Sequence, residues 1–234
     1  MVVVITGASR GIGRAISEKL ASQGYDLALC ARSPSPLTDL HASLALSYPS
    51  LKFFSKSFDL VDRSAIDQFA QGVLEFFGRV DVLINNAGIF QPGSILNETP
   101  DIYDRVMRTN VDGPFFMTKA FLPHMIEARA GQIINMCSVS SIQAHRHNVS
   151  YTISKHALHG FGKSLREEVR EYGIRVTNIL PGATWTDSWA GVQLPADRLM
   201  EATNIAEVVT TAIQLDKNSV MEDVIIRPAL GDLP

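Results

Sequence analysis

Short apolar runs alternate with stretches of helical periodicity along the whole chain, and no other feature limits the fold as strongly. The predicted strands are Val2–Ile5, Leu27–Ala31, Phe53–Asp59, Val82–Asn85, Ile133–Ser138, Val176–Leu180 and Val224–Ile226. Short apolar strands that are separated by helices are typical of parallel βαβ units whose sheet is covered on both faces. The sequence therefore predicts an α/β fold, a doubly wound parallel sheet of seven strands with helices on both faces.

Helical periodicity fills the intervals between these runs. The predicted helices are Ile12–Gln23, a helix that ends at Leu46, Ala65–Phe77, Pro100–Ala128, Tyr151–Glu171 and Ile205–Leu215. Pro34 and Pro36 are assigned to a loop, and Gly113-Pro114 predicts a kink or break in the longest helix. Because no linker, repeat or low-complexity tract is present, we expect a single domain over residues 1–234.

Composition excludes several classes of protein. A hydrophobic fraction of 46% with 19% charged residues is that of a globular chain, and a net charge of −3 gives no basic excess to hold nucleic acid. No apolar stretch approaches the roughly 18 residues that span a bilayer, and Met1–Ile5 lacks the basic flank of a targeting signal. Cys30 and Cys137 lie in apolar runs, which predicts buried reduced thiols, with one disulfide as the alternative. We expect a cytoplasmic protein with no membrane or nucleic-acid partner.

A glycine-rich segment, Thr6–Gly13, joins the first predicted strand to the first predicted helix. Glycines at positions 7, 11 and 13 allow a tight turn, a close approach of backbone to phosphate and close helix–strand packing. The helix N-terminus then offers free N–H groups to a pyrophosphate. The spacing is Gly-x-x-x-Gly-x-Gly rather than the commonest dinucleotide fingerprint, so a plain connecting turn is the alternative. The position after the first strand of a βαβ unit favours a Rossmann-type dinucleotide site.

The residues after the second predicted strand bear on which dinucleotide binds. An acidic residue there favours NAD, whereas an arginine suits the 2′-phosphate of NADP. Ala31-Arg32-Ser33 follows the strand with no acid before Asp39, and Arg10 adds a second guanidinium. The alternative for Arg32 is a solvated surface charge. We predict that NADP(H) is preferred to NAD(H).

Tyr151 and Lys155 are four residues apart at the start of a predicted helix, so their side chains project from one face. A phenol is ordinarily too weak an acid for proton transfer at neutral pH, and a nearby ammonium stabilises its phenolate. Ser138 closes the fifth predicted strand, where a hydroxyl can polarise a carbonyl and hold the developing oxyanion. The alternatives are an exposed Tyr–Lys pair, and turn or N-cap roles for Ser138, Ser140 and Ser141.

Taken together, these segments resemble the short-chain dehydrogenase/reductase family of the Tyr-x-x-x-Lys type. The matching positions are Thr6–Gly13, Asp59-Leu60, Asn85–Gly88, Asn110, Ser138, Tyr151 with Lys155, and Pro181-Gly182. Their order and approximate spacing extend over nearly the whole chain. The resemblance implies an NADP(H)-dependent oxidoreductase that reduces a carbonyl to an alcohol by hydride transfer from the cofactor.

The resemblance also implies a role for each matching residue. Tyr151 is expected to be the general acid, Ser138 to orient the substrate carbonyl, and Lys155 to bind the nicotinamide ribose and tune the tyrosine. Asn110, in the long helix before the break, is expected to hold a water that links Lys155 to solvent. The residues expected to bind the cofactor are Gly7, Ser9, Arg10, Gly11, Ile12, Gly13, Arg32, Asp59, Leu60, Asn86, Ala87, Gly88, Tyr151, Lys155, Pro181, Gly182, Thr184 and Thr186.

Substrate specificity is expected to come from segments beside the predicted catalytic residues. A lid at about 183–203 contains Trp185 and Trp189, which either stack on a flat substrate or pack the lid against the body. His147, just before the catalytic tyrosine, is a substrate-contact candidate, with a surface role as the alternative. Three segments look similar to bacterial sepiapterin-reductase-like members of the family, namely Pro181–Trp189, His145-Arg146-His147 and Ile225–Asp232.

Other functions stay open at this point. The glycine loop looks equally like that of 3-oxoacyl-carrier-protein reductases, but a carrier protein would favour a basic landing patch, which the lid lacks. We therefore expect the substrate to be a small ketone or a pterin-like carbonyl compound. A dinucleotide-sensing regulator on the same fold is the alternative from another class, although a sensor has no need of the complete catalytic set.

The histidines and the long helices carry two further expectations. No nearby Cys or carboxylate gives zinc-like spacing to the pairs His145/His147 and His156/His159, so no metal site is predicted. The family resemblance implies a homo-oligomer, a dimer or a tetramer, assembled through the long helices.

Overall fold

The predicted strands form one parallel sheet. The computed structural model describes residues 1–189 and 191–232; Ala190 in the predicted lid and Leu233-Pro234 at the end of the predicted domain lie outside the described residues. The strands are β1 Val2–Thr6, β2 Asp26–Ala31, β3 Phe53–Ser57, β4 Val82–Asn85, β5 Gly131–Met136, β6 Ile174–Pro181 and β7 Asp223–Ile226. Their order is β3-β2-β1-β4-β5-β6-β7, and neighbouring strands are parallel.

Helices cover both faces of this sheet, as predicted. They are α1 Gly11–Ser22, α2 Pro34–Ser47, α3 Arg63–Phe77, α4 Pro100–Met107, α5 Gly113–Ala128, α6 Val149–Val169 and α7 Ala202–Gln214. Helices α1, α2 and α7 pack on the face that carries Val3 and Ile5, whereas α3, α5 and α6 pack on the face that carries Val4. Alternate side chains of one strand therefore enter two separate apolar cores, which is why the strands are apolar throughout.

The strand order reverses between β1 and β4, because β2 and β3 lie on one side of β1 and the later strands lie on the other. This point sets the position of the site. Open α/β sheets bind ligands outside the carboxyl ends of the strands at such a reversal. The hydroxyl of Thr6 accepts hydrogen bonds from the backbone N–H groups of Asn86 and Ala87, both at 3.0 Å. The loops that follow β1 and β4 are thereby fixed to one another.

Asparagine and aspartate side chains form one lateral row across β4, β5, β6 and β7. The Nδ2 group of Asn85 donates to Oδ1 of Asn135 at 3.0 Å, and Asn135 donates to Asn178 at 3.2 Å. Asn178 in turn donates to Oδ1 of Asp223 at 3.0 Å. These four residues are direct lateral partners in β4, β5, β6 and β7, and we call them the asparagine ladder. The register of β4 to β7 is fixed by this ladder, because each buried amide has its hydrogen-bond partner on the next strand.

Asp223 ends the ladder at an ionic contact with α6. Nε2 of His159 lies 3.0 Å from its Oδ1, and Nζ of Lys163 lies 3.3 Å from its Oδ2. Burial raises the pKa of the Asp223 carboxyl, but hydrogen bonds from Asn178 and His159 outweigh burial and hold that pKa below its ordinary value. The ladder therefore ties α6 to the sheet through a charged carboxylate.

The structure corrects several predicted boundaries. Helix α2 begins at Pro34, so the two prolines assigned to a loop lie in the first helical turn, where a missing N–H removes no helical hydrogen bond. Strand β3 ends at Ser57 rather than Asp59, and β5 ends at Met136 rather than Ser138. The predicted interruption near Gly113-Pro114 is confirmed, as a π-helical turn over Arg108–Asp112 between α4 and α5.

Both cysteines are free and buried, which confirms the prediction of reduced thiols. Burial raises the pKa of both thiols, that of Cys137 to about 12, so neither is a thiolate at neutral pH. Among residues 1–189 and 191–232, no helix combines the length and the apolar character needed to cross a membrane.

Candidate active site

The glycine loop after β1 is shaped by its three glycines. Gly7 and Gly11 adopt φ values of +65° and +53°, a left-handed conformation that strains other residues. A Cβ atom at Gly13 would lie 2.2 Å from the carbonyl oxygen of Gly7 and 2.5 Å from Nδ2 of Asn86. Gly13 is therefore required for close packing of α1 against the loop itself, rather than against the strand.

The start of α1 suits a pyrophosphate. Arg10 is the N-cap residue, and its side chain makes no capping hydrogen bond, so first-turn N–H groups keep their donors for a ligand. Asn86 does not face this position as a free amide, because its Nδ2 group donates to the carbonyl oxygens of Thr6 and Gly7 at 2.9 and 3.2 Å. The backbone and the helix dipole thus fit a dinucleotide phosphate, with Asn86 holding the loop in place.

The residues expected to contact the adenosine half of the cofactor lie in the glycine loop and after β2 and β3. Arg32 is exposed after β2, and its guanidinium makes no ion pair or hydrogen bond with the described part of the chain. Arg10, in contrast, pairs with Asp187 at 3.0 Å. Oδ1 of Asp59 accepts a hydrogen bond from the backbone N–H of Val61 at 3.2 Å, and Oδ2 of Asp59 lies 3.4 Å from Nη2 of Arg105. Arg32 is thus the guanidinium that is available to a phosphate without exchange of partners.

Tyr151 and Lys155 lie together at the start of α6. Nζ of Lys155 is 5.6 Å from the centroid of the Tyr151 ring and donates to the carbonyl oxygen of Met136 at 2.8 Å. The lysine is 4% exposed, so its charge is held at the end of β5 with little access of water. This is the common face that the four-residue spacing predicts. An ammonium beside a phenol is an arrangement that stabilises the phenolate.

Asn110 lies in the π-helical turn, not in a continuous helix as predicted. Its Oδ1 accepts the N–H of Ile89 at 2.8 Å, and its Nδ2 donates to the carbonyl oxygen of Ile89 and to Oγ of Ser154, both at 3.0 Å. The amide joins the loop after β4 to α6 and keeps one lone pair of Oδ1 for a further donor. A methyl group at Gly88 would lie 3.4 Å from both Oδ1 of Asn110 and Nζ of Lys155, so these two atoms face the same glycine.

Ser138 lies two residues beyond β5 and therefore does not close the strand as predicted. It is the N-cap of a 3-10 turn over Val139–Ser141, with its hydroxyl accepting the N–H of Ser140 at 3.1 Å. The N-cap alternative is thus the observed local role, and α6 packs against this turn. The hydroxyl proton of Ser138 stays available for donation, since its oxygen acts as acceptor in the cap.

The remaining cofactor candidates follow β6. Pro181 ends the strand, and the N–H of Gly182 donates to the carbonyl oxygen of Ile226 at 2.8 Å. Thr184 is buried and donates to the carbonyl oxygen of Gly182 at 3.0 Å. Thr186 lies over the glycine loop, because a Cβ atom at Gly11 would be 3.2 Å from its Cγ2. The structure therefore brings the segment after β6 onto the phosphate loop.

The predicted substrate residues lie in two segments, the one that follows β6 and the one that precedes α6. Trp185 and Trp189 are both half-buried, and the backbone N–H of Trp185 donates to the carbonyl oxygen of Met200 at 2.8 Å. His147 is exposed with φ +59°, and its carbonyl oxygen accepts the N–H of Gly93 at 2.6 Å. His147 thus joins the loop before α6 to the loop after β4.

Sequence reasoning missed an aromatic contact with the predicted general acid. Phe90 stands edge-to-face with Tyr151, the ring centroids being 5.1 Å apart at an interplanar angle of 86°. Such contacts hold a ring in place. A signal for Phe90 is present in the sequence. It lies two residues after Asn85–Gly88, the segment at the end of a strand that is predicted to bind the cofactor.

Sequence reasoning also missed a polar cluster that joins the predicted specificity segments. Arg198 donates to the carbonyl oxygens of Gly231 and Asp232, both at 2.7 Å. The Asp232 carboxylate pairs with Arg227 and accepts a hydrogen bond from Gln143 at 3.1 Å. The segment after β6, the loop before α6 and the segment Ile225–Asp232 are therefore one connected surface beside the site.

Comparison with known proteins agrees with this geometry. Residues 1–195 match the profile of the short chain dehydrogenase family. Dehydrogenase/reductase SDR family member 7B of Bos taurus is 42% identical over 190 residues, which are 80% of this chain and 58% of that protein. Sepiapterin reductase of Chlorobaculum tepidum is 30% identical over 240 residues, which are 99% of this chain and 98% of that protein.

A solved structure shows the same likeness over the whole length. A metagenomic short-chain oxidoreductase in complex with NADP superposes with a TM-score of 0.85 at 34% identity, covering 98% of this chain and 97% of that one. The glycine loop, the strand order and the Tyr-x-x-x-Lys pair on α6 are thus accompanied by relatedness in sequence and in fold. This chain belongs to the short-chain dehydrogenase/reductase family.

Proposed function

We propose that this chain is an NADP(H)-dependent oxidoreductase that reduces the carbonyl of a small ketone or pterin-like compound to an alcohol. The observation that carries the proposal is the buried Lys155 ammonium, 5.6 Å from the Tyr151 ring at the edge of the sheet where the glycine loop lies. The NADP complex of the metagenomic relative supports the cofactor, and the likeness to a sepiapterin reductase supports the substrate class.

The proposed mechanism divides the work between the cofactor and the chain. When bound, the nicotinamide supplies the hydride, so the protein has to supply position, a proton and stabilisation of the oxyanion. Tyr151 gives its hydroxyl proton to the carbonyl oxygen, while the Lys155 charge stabilises the phenolate that remains. Ser138 donates to the same oxygen. Asn110 holds the backbone around Ile89, and the lone pair that its Oδ1 keeps binds the water that links Lys155 to solvent.

The cofactor preference is tested at Arg32. Replacing Arg32 by aspartate removes a guanidinium and places a carboxylate beside the 2′-phosphate of NADP(H). Because a hydrogen bond to a charged group contributes about 1.5–3 kcal/mol, we expect the ratio of kcat/KM for NADPH over NADH to fall by roughly 10- to 100-fold. Lys217→Asp makes the same charge change in the exposed turn between α7 and β7 and should leave the ratio as it is. An unchanged ratio in Arg32→Asp contradicts the assignment.

The reaction itself is tested by the oxidation of NADPH in the presence of ketones, diketones and pterins. We expect turnover with at least one of these compounds, and stoichiometric formation of the alcohol. Binding of NADPH without turnover of any of them would instead favour a dinucleotide-sensing regulator. A titration of NADPH fluorescence on the same sample separates these two results.

The proposal also covers the location, the assembly and the domain organisation of the chain. We propose a cytoplasmic homo-oligomer, a dimer or a tetramer, assembled through the long helices. We propose residues 1–234 as one domain, within which residues 183–203 act as the substrate lid. The exposed Phe115 ring on α5, in contact with Phe161 of α6 at 5.6 Å between centroids, supports an apolar face on these helices.

A further inference from the structure

An ion pair links the glycine loop to the segment after β6. Nη1 of Arg10, at the start of α1, lies 3.0 Å from Oδ2 of Asp187, which begins a 3-10 turn over Asp187–Trp189. The preceding residue, Thr186, rests against Gly11 of the same loop. Two independent contacts therefore place the Asp187 carboxylate beside the phosphate loop, although Arg10 and Asp187 are 177 positions apart in sequence.

The pair occupies a donor that the proposed cofactor needs. Arg10 is one of the two guanidinium groups that we assign to the 2′-phosphate, and Arg32 is the other. The side chains of Arg10 and Asp187 are 54% and 65% exposed, so the pair is weakened by water and is readily exchanged for another partner. A 2′-phosphate that approaches Arg10 must either displace the carboxylate or accept a like charge beside it.

We propose that Asp187 is a cofactor-selectivity residue, whose carboxylate competes with the 2′-phosphate of NADP(H) for Arg10. This inference rests on the proposed function and goes beyond it, because it assigns a residue of the substrate-side segment to the choice of cofactor. Asp187 lowers the affinity for NADP(H) and leaves the affinity for NAD(H), which has no 2′-phosphate, unchanged. Arg32, which has no side-chain partner among the described residues, maintains the preference for NADP(H) in the presence of this competitor.

The opposite effect would follow if Asp187 oriented Arg10 for the phosphate. A guanidinium has five N–H donors, and Asp187 accepts from one of them, so the geometry alone permits such a role. The two roles differ in sign: removal of a competitor strengthens binding of NADPH, whereas removal of an orienting group weakens it. Affinity is therefore the quantity to measure.

The experiment compares dissociation constants of NADPH and NADH, obtained from fluorescence titrations of the full chain at low salt. Exposed ion pairs contribute little, so we expect Asp187→Asn to tighten NADPH binding by about two- to fivefold, the upper value equalling about 1 kcal/mol, with no change for NADH. Glu18→Gln is the matched control, since it removes one charge from a comparable exposed pair, that of Arg14 and Glu18 on α1. It should change neither constant.

The same substitution in a chain that lacks the Arg10 guanidinium tests whether the effect on NADPH affinity acts through Arg10. In an Arg10→Ala chain, Asp187→Asn should tighten NADPH binding by less than half as much as in the native chain. Weaker or unchanged NADPH binding in Asp187→Asn overturns the inference, as does equal tightening for NADH, while the proposed function stands in either case. A native chain that binds neither dinucleotide overturns the proposed function and this inference with it.

Discussion

Replacing Tyr151 by phenylalanine is expected to lower kcat for carbonyl reduction by about 10²- to 10⁴-fold, the range that a positioned general acid contributes. The substitution removes one oxygen atom and keeps the ring. Its edge-to-face contact with Phe90 and its place beside Lys155 therefore persist. Because the glycine loop and Arg32 are untouched, the dissociation constant of NADPH should change by less than about twofold.

The measurement pairs steady-state kinetics with a titration of NADPH on the same preparation. Tyr172→Phe is a suitable control, since Tyr172 lies in the 3-10 turn that follows α6 and carries no proposed role. Activity of the Tyr151→Phe protein comparable to that of the native chain would show that another group donates the proton. Loss of NADPH binding together with turnover would instead show that the hydroxyl acts in cofactor binding or in folding, and would contradict its role as proton donor alone.

Replacing Gly162 by alanine is expected to lower the free energy of unfolding by about 3 kcal/mol. A Cβ atom at this position would lie 2.0 Å from Oδ1 of Asn178 and 2.8 Å from Nδ2 of Asn135, two members of the buried asparagine ladder. Neither amide can move without losing a hydrogen bond to its lateral partner. Overpacking of a core costs about 1–3 kcal/mol, and an unsatisfied buried polar group costs a similar amount.

Gly160→Ala supplies the internal control in the same helix. Gly160 is exposed, and a Cβ atom there meets no described atom within 4 Å. Since alanine is a better helix former than glycine, this variant should be more stable by up to about 1 kcal/mol. Urea unfolding of both variants gives the comparison, and equal effects of the two substitutions would contradict the role of the ladder in seating α6.

The Gly162→Ala substitution also bears on catalysis, because α6 carries Tyr151 and Lys155. Displacement of α6 from the ladder would change the distance between the Lys155 ammonium and the carbonyl oxygen of Met136, now 2.8 Å. We therefore expect a lower kcat in the fraction that remains folded, in line with the sensitivity of catalysis to small misplacements. This links the hydrogen bonds of the asparagine ladder to the geometry of the proposed site.

Much of the fold could be predicted from the sequence because its signals are local. The apolar runs in β1, β2 and β4 identify buried strands, and the glycine spacing in Thr6–Gly13 identifies the loop that joins β1 to α1. Boundaries were less secure where one residue type serves two purposes. Proline both begins and ends helices, so the sequence pattern predicts a loop at Pro34, whereas Pro34 opens α2 in the structure.

For the site, too, local features could be predicted from the sequence and long-range contacts could not. The four-residue spacing of Tyr151 and Lys155 is a local property of a helix, and the structure brings the two side chains together. The contact of Phe90 with Tyr151 and the pair of Arg10 with Asp187 join residues far apart in the chain. Their partners depend on how loops from different strands meet, and residue spacing does not report that.

The amino-acid sequence by itself determined the alternation of strands and helices, the glycine loop, the Tyr-x-x-x-Lys face and the membership of a family. The first three features depend on side-chain periodicity and backbone freedom, which act over a few residues. The family resemblance depends on the order and spacing of motifs along nearly the whole chain. Tertiary structure alone decided that Asn85, Asn135, Asn178 and Asp223 share one row and that Arg10 is engaged by Asp187. A hydrogen bond or an ion pair requires its two groups within about 3 Å, and only the register of the sheet and the packing of its loops place distant residues so close.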